Sequence, residues 1–127
     1  MIGIDIIKLS RMERFLERFG EKALRRFLHP DEILLVKNHK TAAGFWATKE
    51  AFSKALGTGI GKECSFFDIR IYKTDKGAPH IALSKKIIQK FEILDVALSI
   101  THDGEYAISV VDVQTRNSST TDKIKQF

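Results

Sequence analysis

The chain has one cysteine, Cys64, so no disulfide forms within it, and its four histidines show no zinc-ligand spacing with that thiol. No stretch approaches the ~18–20 uninterrupted apolar residues of a membrane helix. The first ten residues, MIGIDIIKLS, lack a basic start, a long apolar region and a small-residue cleavage site, so they do not read as a secretory signal. These absences point to an intracellular, cytoplasmic protein. Proline is scarce, with two residues, and together with glycine it marks the breaks: Gly20, His29-Pro30, Gly57 to Gly61, Gly77 to Pro79 and Asp103-Gly104. What remains is ample for a core. The 127 residues are 43% apolar and 29% charged, which suits one compact domain. Twenty-one Lys and Arg against sixteen Asp and Glu give a net charge of +5, which favours an acidic partner or a phosphorylated ligand. A small nucleic-acid binder and an enzyme acting on acidic substrates fit that charge equally well.

Residues 2–8 read as a strand with Asp5 among isoleucines, a costly place for a carboxylate unless it is paired or bound to a cation. Ser10 with Glu13 reads as a capping box opening a helix, with Met12, Phe15, Leu16 and Phe19 on its core face. Arg11, Arg14 and Arg18 form an adjacent stripe, extended by Lys22 and Arg25 if the helix survives Gly20. Pro30 starts a short helix ending near Asn38, and a longer one runs over 41–56 with Gly57 as its cap. Strands follow at 66–73 and 79–83, a helix at 84–91, and two more strands at 95–101 and 105–113 joined at His102-Asp103-Gly104. The expected fold is α+β: a mostly antiparallel sheet packed on one long helix and shorter helices. It spans residues 1–113, followed by a polar tail over 114–127.

Breaks in a local pattern tend to mark functional sites. In helix 41–56, Ala42, Phe45, Phe52 and Leu56 make an apolar stripe, and Lys49 falls in its middle. Either Lys49 snorkels out and Glu50 is a solvated helix charge, or both serve a site. Asp5 is the second break. Mg²⁺ takes only one or two protein carboxylates and completes its octahedron with water and phosphate oxygens, so Asp5 and Glu50 suffice if the fold brings them together, with Lys49 and Lys54 beside the phosphates. Gly57-Thr58-Gly59-Ile60-Gly61 is either an anion-binding nest or a plain helix stop. It follows a helix and lacks the Walker ending, so a dinucleotide or P-loop fold is disfavoured. His102 at a hairpin tip is more often structural than catalytic. Cys64 reads as a small core residue.

Taken together, Ile2-Gly3-Ile4-Asp5-Ile6, the run Trp46-Ala47-Thr48-Lys49-Glu50-Ala51-Phe52-Ser53-Lys54-Ala55-Leu56 with Gly57-Thr58-Gly59-Ile60-Gly61, the turn Gly77-Ala78-Pro79, and Ser99-Ile100-Thr101-His102 resemble the bacterial holo-[acyl-carrier-protein] synthases. These are the short branch of the 4′-phosphopantetheinyl transferases. The order, spacing and length agree over residues 1–113.

That resemblance implies a transferase moving 4′-phosphopantetheine from coenzyme A to a serine of apo acyl carrier protein, with release of adenosine 3′,5′-bisphosphate. It implies Mg²⁺ held by Asp5 and Glu50. Lys49, Ser53, Lys54, Gly57, Thr58, Gly59, Pro79 and His102 would line the coenzyme A site, and Glu50, Lys54 and His102 would take part in the chemistry. His102, Glu50 and a metal-bound water all remain as acceptors of the serine proton. The family is usually homotrimeric, with coenzyme A between subunits. The Arg11, Arg14 and Arg18 stripe would steer an acidic carrier protein. One departure stands out: many relatives have Arg-Phe where this chain has Phe45-Trp46. Against this, a nucleic-acid module would use the arginines for phosphates and Phe66, Phe67 and Tyr72 as stacking platforms, but no known binding motif is present.

Overall fold

The computed structural model describes residues 1–116. Strand β1 (Ile2–Lys8) runs straight into helix α1 (Leu9–Phe19), followed by α2 (Glu21–Arg25), α3 (Pro30–Ile33) and the long α4 (His39–Leu56). A 3₁₀ turn (Phe66–Asp68) leads into β2 (Ile69–Lys73), β3 (Pro79–Leu83), α5 (Lys85–Phe91), β4 (Ile93–Asp103) and β5 (Tyr106–Thr115). The expected α+β class holds, and every strand pair is antiparallel. The strands divide into two sheets, β1-β5-β4 and β2-β3.

Several boundaries shift for local reasons. The backbone N–H of Leu9 donates to the Glu105 carbonyl, so the helix begins at once and Ser10 already lies inside it. The expected Ser10–Glu13 capping box is therefore absent. Helix α4 starts two residues early because the Asn38 side chain accepts from the N–H groups of Lys40 and Thr41. Gly20, with φ of 58°, ends α1, so Arg25 leaves the arginine stripe and pairs with Glu21 instead. The short helix ends at Ile33 rather than near Asn38. β5 runs through Thr115, so Gln114 and Thr115 belong to the sheet and not to a tail. The rest of the tail reading, residues 117–127, lies outside the described residues.

Helix α4 crosses the inner face of the three-stranded sheet. Gly44, Thr48, Ala51 and Ala55 lie along one line of it at four-three-four spacing. Gly44 sits under Ile100 and His102 of β4, Thr48 Oγ1 and Ser109 Oγ of β5 share a hydrogen bond of 2.9 Å, and Ala51 and Ala55 meet Gly3 of β1. Small residues here let helix and sheet close together. The helix is buried nearly all round, including Phe45, Phe52 and Lys49.

Lys49 is fully buried and does not snorkel. Its ammonium donates to the carbonyls of Phe27 (2.7 Å) and Phe66 (3.0 Å) and to Glu32 Oε1 (2.8 Å). Glu32, also fully buried, further accepts from the N–H groups of His29 and Ile71. One ion pair thus ties α4 to α3, the 3₁₀ turn and β2.

Candidate active site

The inner face of β1 carries Gly3, Asp5 and Ile7, and the outer face carries Ile2, Ile4 and Ile6. Asp5 therefore points at α4. There Lys54 Nζ lies 2.8 Å from Asp5 Oδ1 and 3.3 Å from the Ile4 carbonyl. Glu50 stands one turn before Lys54 and is half-buried. Burial and, after it, the Asp5 charge push the Glu50 carboxyl above the usual carboxylate range, while Lys54 and Arg11 pull it back. Two carboxylates 45 positions apart in sequence are thus close enough to repel, with Lys54 and Arg11 around them.

This donor set fits a hard divalent cation. The oxygens are carboxylate, their mutual repulsion is what a cation relieves, and both side chains are only partly buried. Among the described residues no cluster of three or more His, Cys, Asp or Glu could hold a metal, and two carboxylates leave most of an ion's coordination positions open to water and substrate. That matches Mg²⁺ better than Zn²⁺.

Other residues expected at the site are placed differently. Lys49 faces the interior and its three donors are taken, so it does not reach a ligand's phosphate; burial lowers its pKa and Glu32 opposes that. Ser53 is buried, and its hydroxyl donates to the Glu50 carbonyl. The nest reading of the glycine segment fails. The N–H groups of Gly57, Thr58 and Gly59 donate back to the Lys54 and Ser53 carbonyls, and the N–H of Gly61 donates to the Cys64 carbonyl. These glycines stop the helix, with φ of 80° at Gly57 and 66° at Gly59, and they leave open space beside it. Pro79 opens β3 on the second sheet, opposite Lys73. His102 is exposed on β4, which β5 separates from β1. Two strand spacings alone put it about 10 Å from Asp5, so one chain does not bring them into contact. Position 45 is a core phenylalanine, so no basic group stands there. Cys64 is buried, and burial with the nearby Asp68 charge pushes its thiol up to about 11, which keeps it inert at neutral pH.

Beside the carboxylates lies a cavity of about 810 Å³. Its apolar wall is made by Phe15, Phe19, Trp46 and Phe66, and arginines 11, 14, 18 and 26 surround it. Arg11 is shared between this cavity and Glu50. None of the four arginines is ion-paired among the described residues. The Arg26 guanidinium instead lies over the rings of Phe15 and Phe19, at 5.8 and 4.8 Å from their centroids. Sequence reading missed Arg26 because it assigned those two rings to the core; only Met12 of that helix face is fully buried. Of the stacking platforms of a nucleic-acid reading, Phe66 is taken up by Trp46 and Phe27, while Phe67 and Tyr72 each meet one histidine ring, His29 and His80, and stay partly exposed.

Comparison with known proteins gives a consistent answer. The family model of the 4′-phosphopantetheinyl transferase superfamily matches residues 1–111. A holo-[acyl-carrier-protein] synthase of Sulfurimonas denitrificans is 66% identical over 115 residues, covering 91% of this chain and 95% of that protein. The crystal structure of the Helicobacter pylori holo-[acyl-carrier-protein] synthase in complex with coenzyme A superimposes with a TM-score of 0.87 at 51% identity, covering 90% of this chain and all of the other. A Bacillus anthracis holo-(acyl-carrier-protein) synthase in complex with CoA (3′,5′-ADP) gives a TM-score of 0.75 at 40% identity, covering 90% of this chain and 95% of that one. The chain is a transferase, and it belongs to the 4′-phosphopantetheinyl transferase superfamily, in its holo-[acyl-carrier-protein] synthase branch.

Proposed function

We propose that this protein transfers 4′-phosphopantetheine from coenzyme A to a serine of apo acyl carrier protein in a Mg²⁺-dependent reaction, releasing adenosine 3′,5′-bisphosphate. The single observation behind this reading is the convergence of Asp5, Glu50 and Lys54 beside a cavity ringed by unpaired arginines. The carrier hydroxyl attacks the phosphorus that bears pantetheine; that P–O bond forms as the pyrophosphate P–O bond breaks, and the nucleotide bisphosphate leaves. Asp5 and Glu50 would hold the Mg²⁺, which when bound neutralises charge on the pyrophosphate. Lys54, half exposed, is free to turn from Asp5 toward phosphate oxygens. The serine proton passes to a base, for which His102 and Glu50 are the candidates this chain supplies. The test is mass spectrometry of apo carrier protein incubated with this protein, coenzyme A and Mg²⁺, where a gain of about 340 Da marks the transferred group. No gain under these conditions refutes the reading. The reaction would take place in the cytoplasm and supply carriers for fatty acid biosynthesis.

The arginine-ringed cavity suits an acidic carrier helix that presents an apolar side chain. Apolar contact fixes register, and the charges raise the association rate. Replacing Arg14 and Arg18 together by glutamate should raise KM for the carrier at least about tenfold and leave kcat near wild type, because neither touches the reacting atoms. Steady-state kinetics in carrier concentration, repeated at higher salt, check this; an unchanged KM assigns docking elsewhere.

A homotrimer with sites between subunits is also proposed. The outer sheet face exposes Ile2, Ile4 and Ile6 at 72, 59 and 56%, beside Val110 of β5. An apolar β-surface of this kind needs a cover. A neighbouring copy placed there is also the means by which His102 or Pro79 reaches the Asp5–Glu50 pair. Light scattering should give about three times 14.4 kDa, and Ile4→Asp should give the monomer. A monomeric wild type would remove this part of the reading.

A further inference from the structure

Gly3 lies in a strand, at no turn and with no positive φ, so conformational freedom does not explain it. Close approach does. A Cβ at this position would sit 1.8 Å from the Ala51 carbonyl oxygen, 2.6 Å from the Ala55 nitrogen and 2.9 Å from the Ala51 carbonyl carbon. All three atoms are backbone, so no side-chain rotation relieves the overlap. The other glycine of the helix–sheet contact, Gly44, meets only side chains, the nearer at 3.1 Å. The crossing at Gly3 is therefore a direct contact of strand backbone on helix backbone.

Its position relative to the chemistry matters. The residues touched, Ala51 and Ala55, each follow a site residue, Glu50 and Lys54. Asp5 is two residues beyond Gly3 on the same face of β1. The contact line and the functional line thus run side by side, one helical step apart. Asp5 is a short side chain, so how far its carboxylate reaches toward α4 follows the separation of the two backbones, and Lys54 Nζ meets it at 2.8 Å. β1 cannot simply lift away, because its register with β5 is fixed from Ile2↔Asp112 to Lys8↔Tyr106.

We infer that Gly3 is a positioning residue for the metal-binding carboxylates: the missing side chain sets the β1–α4 separation at which Asp5 and Glu50 share one divalent ion. This rests on the metal reading above. A methyl group would force a separation roughly 1.5 Å larger at the crossing, the gap between 1.8 Å and an ordinary van der Waals contact. An ion with ligand distances near 2.1 Å tolerates little of that.

The probe is Mn²⁺, followed by electron paramagnetic resonance with saturating coenzyme A, on samples shown to be folded by circular dichroism. Gly3→Ala should raise the Mn²⁺ Kd at least tenfold. Ala51→Gly in the same chain should not restore it, since the overlap is with main-chain atoms. Val111→Ala removes the buried ladder partner of Gly3 and lowers stability without pushing the strand outward. It should leave Kd within twofold, which separates positioning from mere destabilisation. Should Gly3→Ala not fold, Ala55→Val adds bulk at the same crossing from the helix side and should raise Kd at least threefold. Folded Gly3→Ala, or in its place folded Ala55→Val, binding Mn²⁺ like wild type overturns the inference while the metal reading stands. Wild-type Mn²⁺ binding that is absent, or unaffected by Asp5→Asn, overturns the metal reading and the inference with it.

Discussion

Asp5→Ala and Glu50→Ala each abolish the gain of about 340 Da on the carrier protein while the fold and its melting temperature stay close to wild type. The expected loss is at least a few hundredfold in rate, the scale on which a preorganised electrostatic contact to a developing charge acts. The fold survives for reasons visible around the two side chains. Among the described residues the Asp5 carboxylate bonds to Lys54 alone, whose side chain is 52% exposed, and such a pair contributes about 0–1 kcal/mol. Glu50 is held above its ordinary pKa, so its environment opposes the charge it carries at neutral pH. Because its folded-state pKa is raised, its titration disfavours the folded state increasingly as pH rises past the ordinary carboxylate value. Removing either acid removes repulsion. A pair that does nothing for stability yet is kept in place by a close strand–helix crossing is what the proposed metal site requires. Mass spectrometry of the carrier, with thermal denaturation of each variant, checks both halves. Full turnover in both variants would sink the metal assignment, and loss of the fold would make the pair structural.

How much of this was legible beforehand follows from what periodicity encodes. Period 3.6 correctly put Lys49 inside the apolar stripe, but it does not name a partner. Glu32 lies 17 positions away on a four-residue helix, too short for its buried face to be read from periodicity. Lys49 was therefore assigned to phosphate when its ammonium actually joins elements of the core. Period 2 at β1 separates Ile2, Ile4 and Ile6 from Gly3, Asp5 and Ile7 but does not say which set faces inward; the glycine face does, because only Gly3 fits against α4. The isoleucines turn outward and stay exposed among the described residues. The glycine segment was legible as a helix stop through Gly57, but which N–H groups remain free depends on three-dimensional hydrogen bonding that spacing does not give. Asp5 reads as a break of pattern, and Glu50 only as the neighbour of Lys49, which is the break in its helix. Their meeting came from topology: β1 pairs with β5 at one edge of the sheet, and α4 lies across it.

Lys49→Met should lower the melting temperature by about 10–20 °C, corresponding to about 3–5 kcal/mol. Methionine matches the length of the aliphatic stem, so packing is nearly preserved and the effect isolates the charge. What remains is Glu32, fully buried, with Oε1 facing the vacated position and the Phe27 and Phe66 carbonyls without their donor. Removing one member of a buried pair is the costly case; removing both is milder. Lys49→Met with Glu32→Gln should recover part of the loss, because the amide oxygen can still accept one of the two N–H groups, of His29 or Ile71. Thermal denaturation of wild type, Lys49→Met and the double variant checks this. A single variant as stable as wild type, or a double variant no better than the single, would mean that packing and not the buried charge makes Lys49 important. Activity adds a second readout. The carbonyls that Lys49 binds belong to Phe27 and Phe66, whose rings pack on Trp46 at 5.0 and 4.9 Å, and two of these three rings wall the arginine-ringed cavity. Below its melting temperature the variant should therefore show a raised KM for the carrier before any fall in kcat, since Glu50 stays on the helix while the cavity wall loosens.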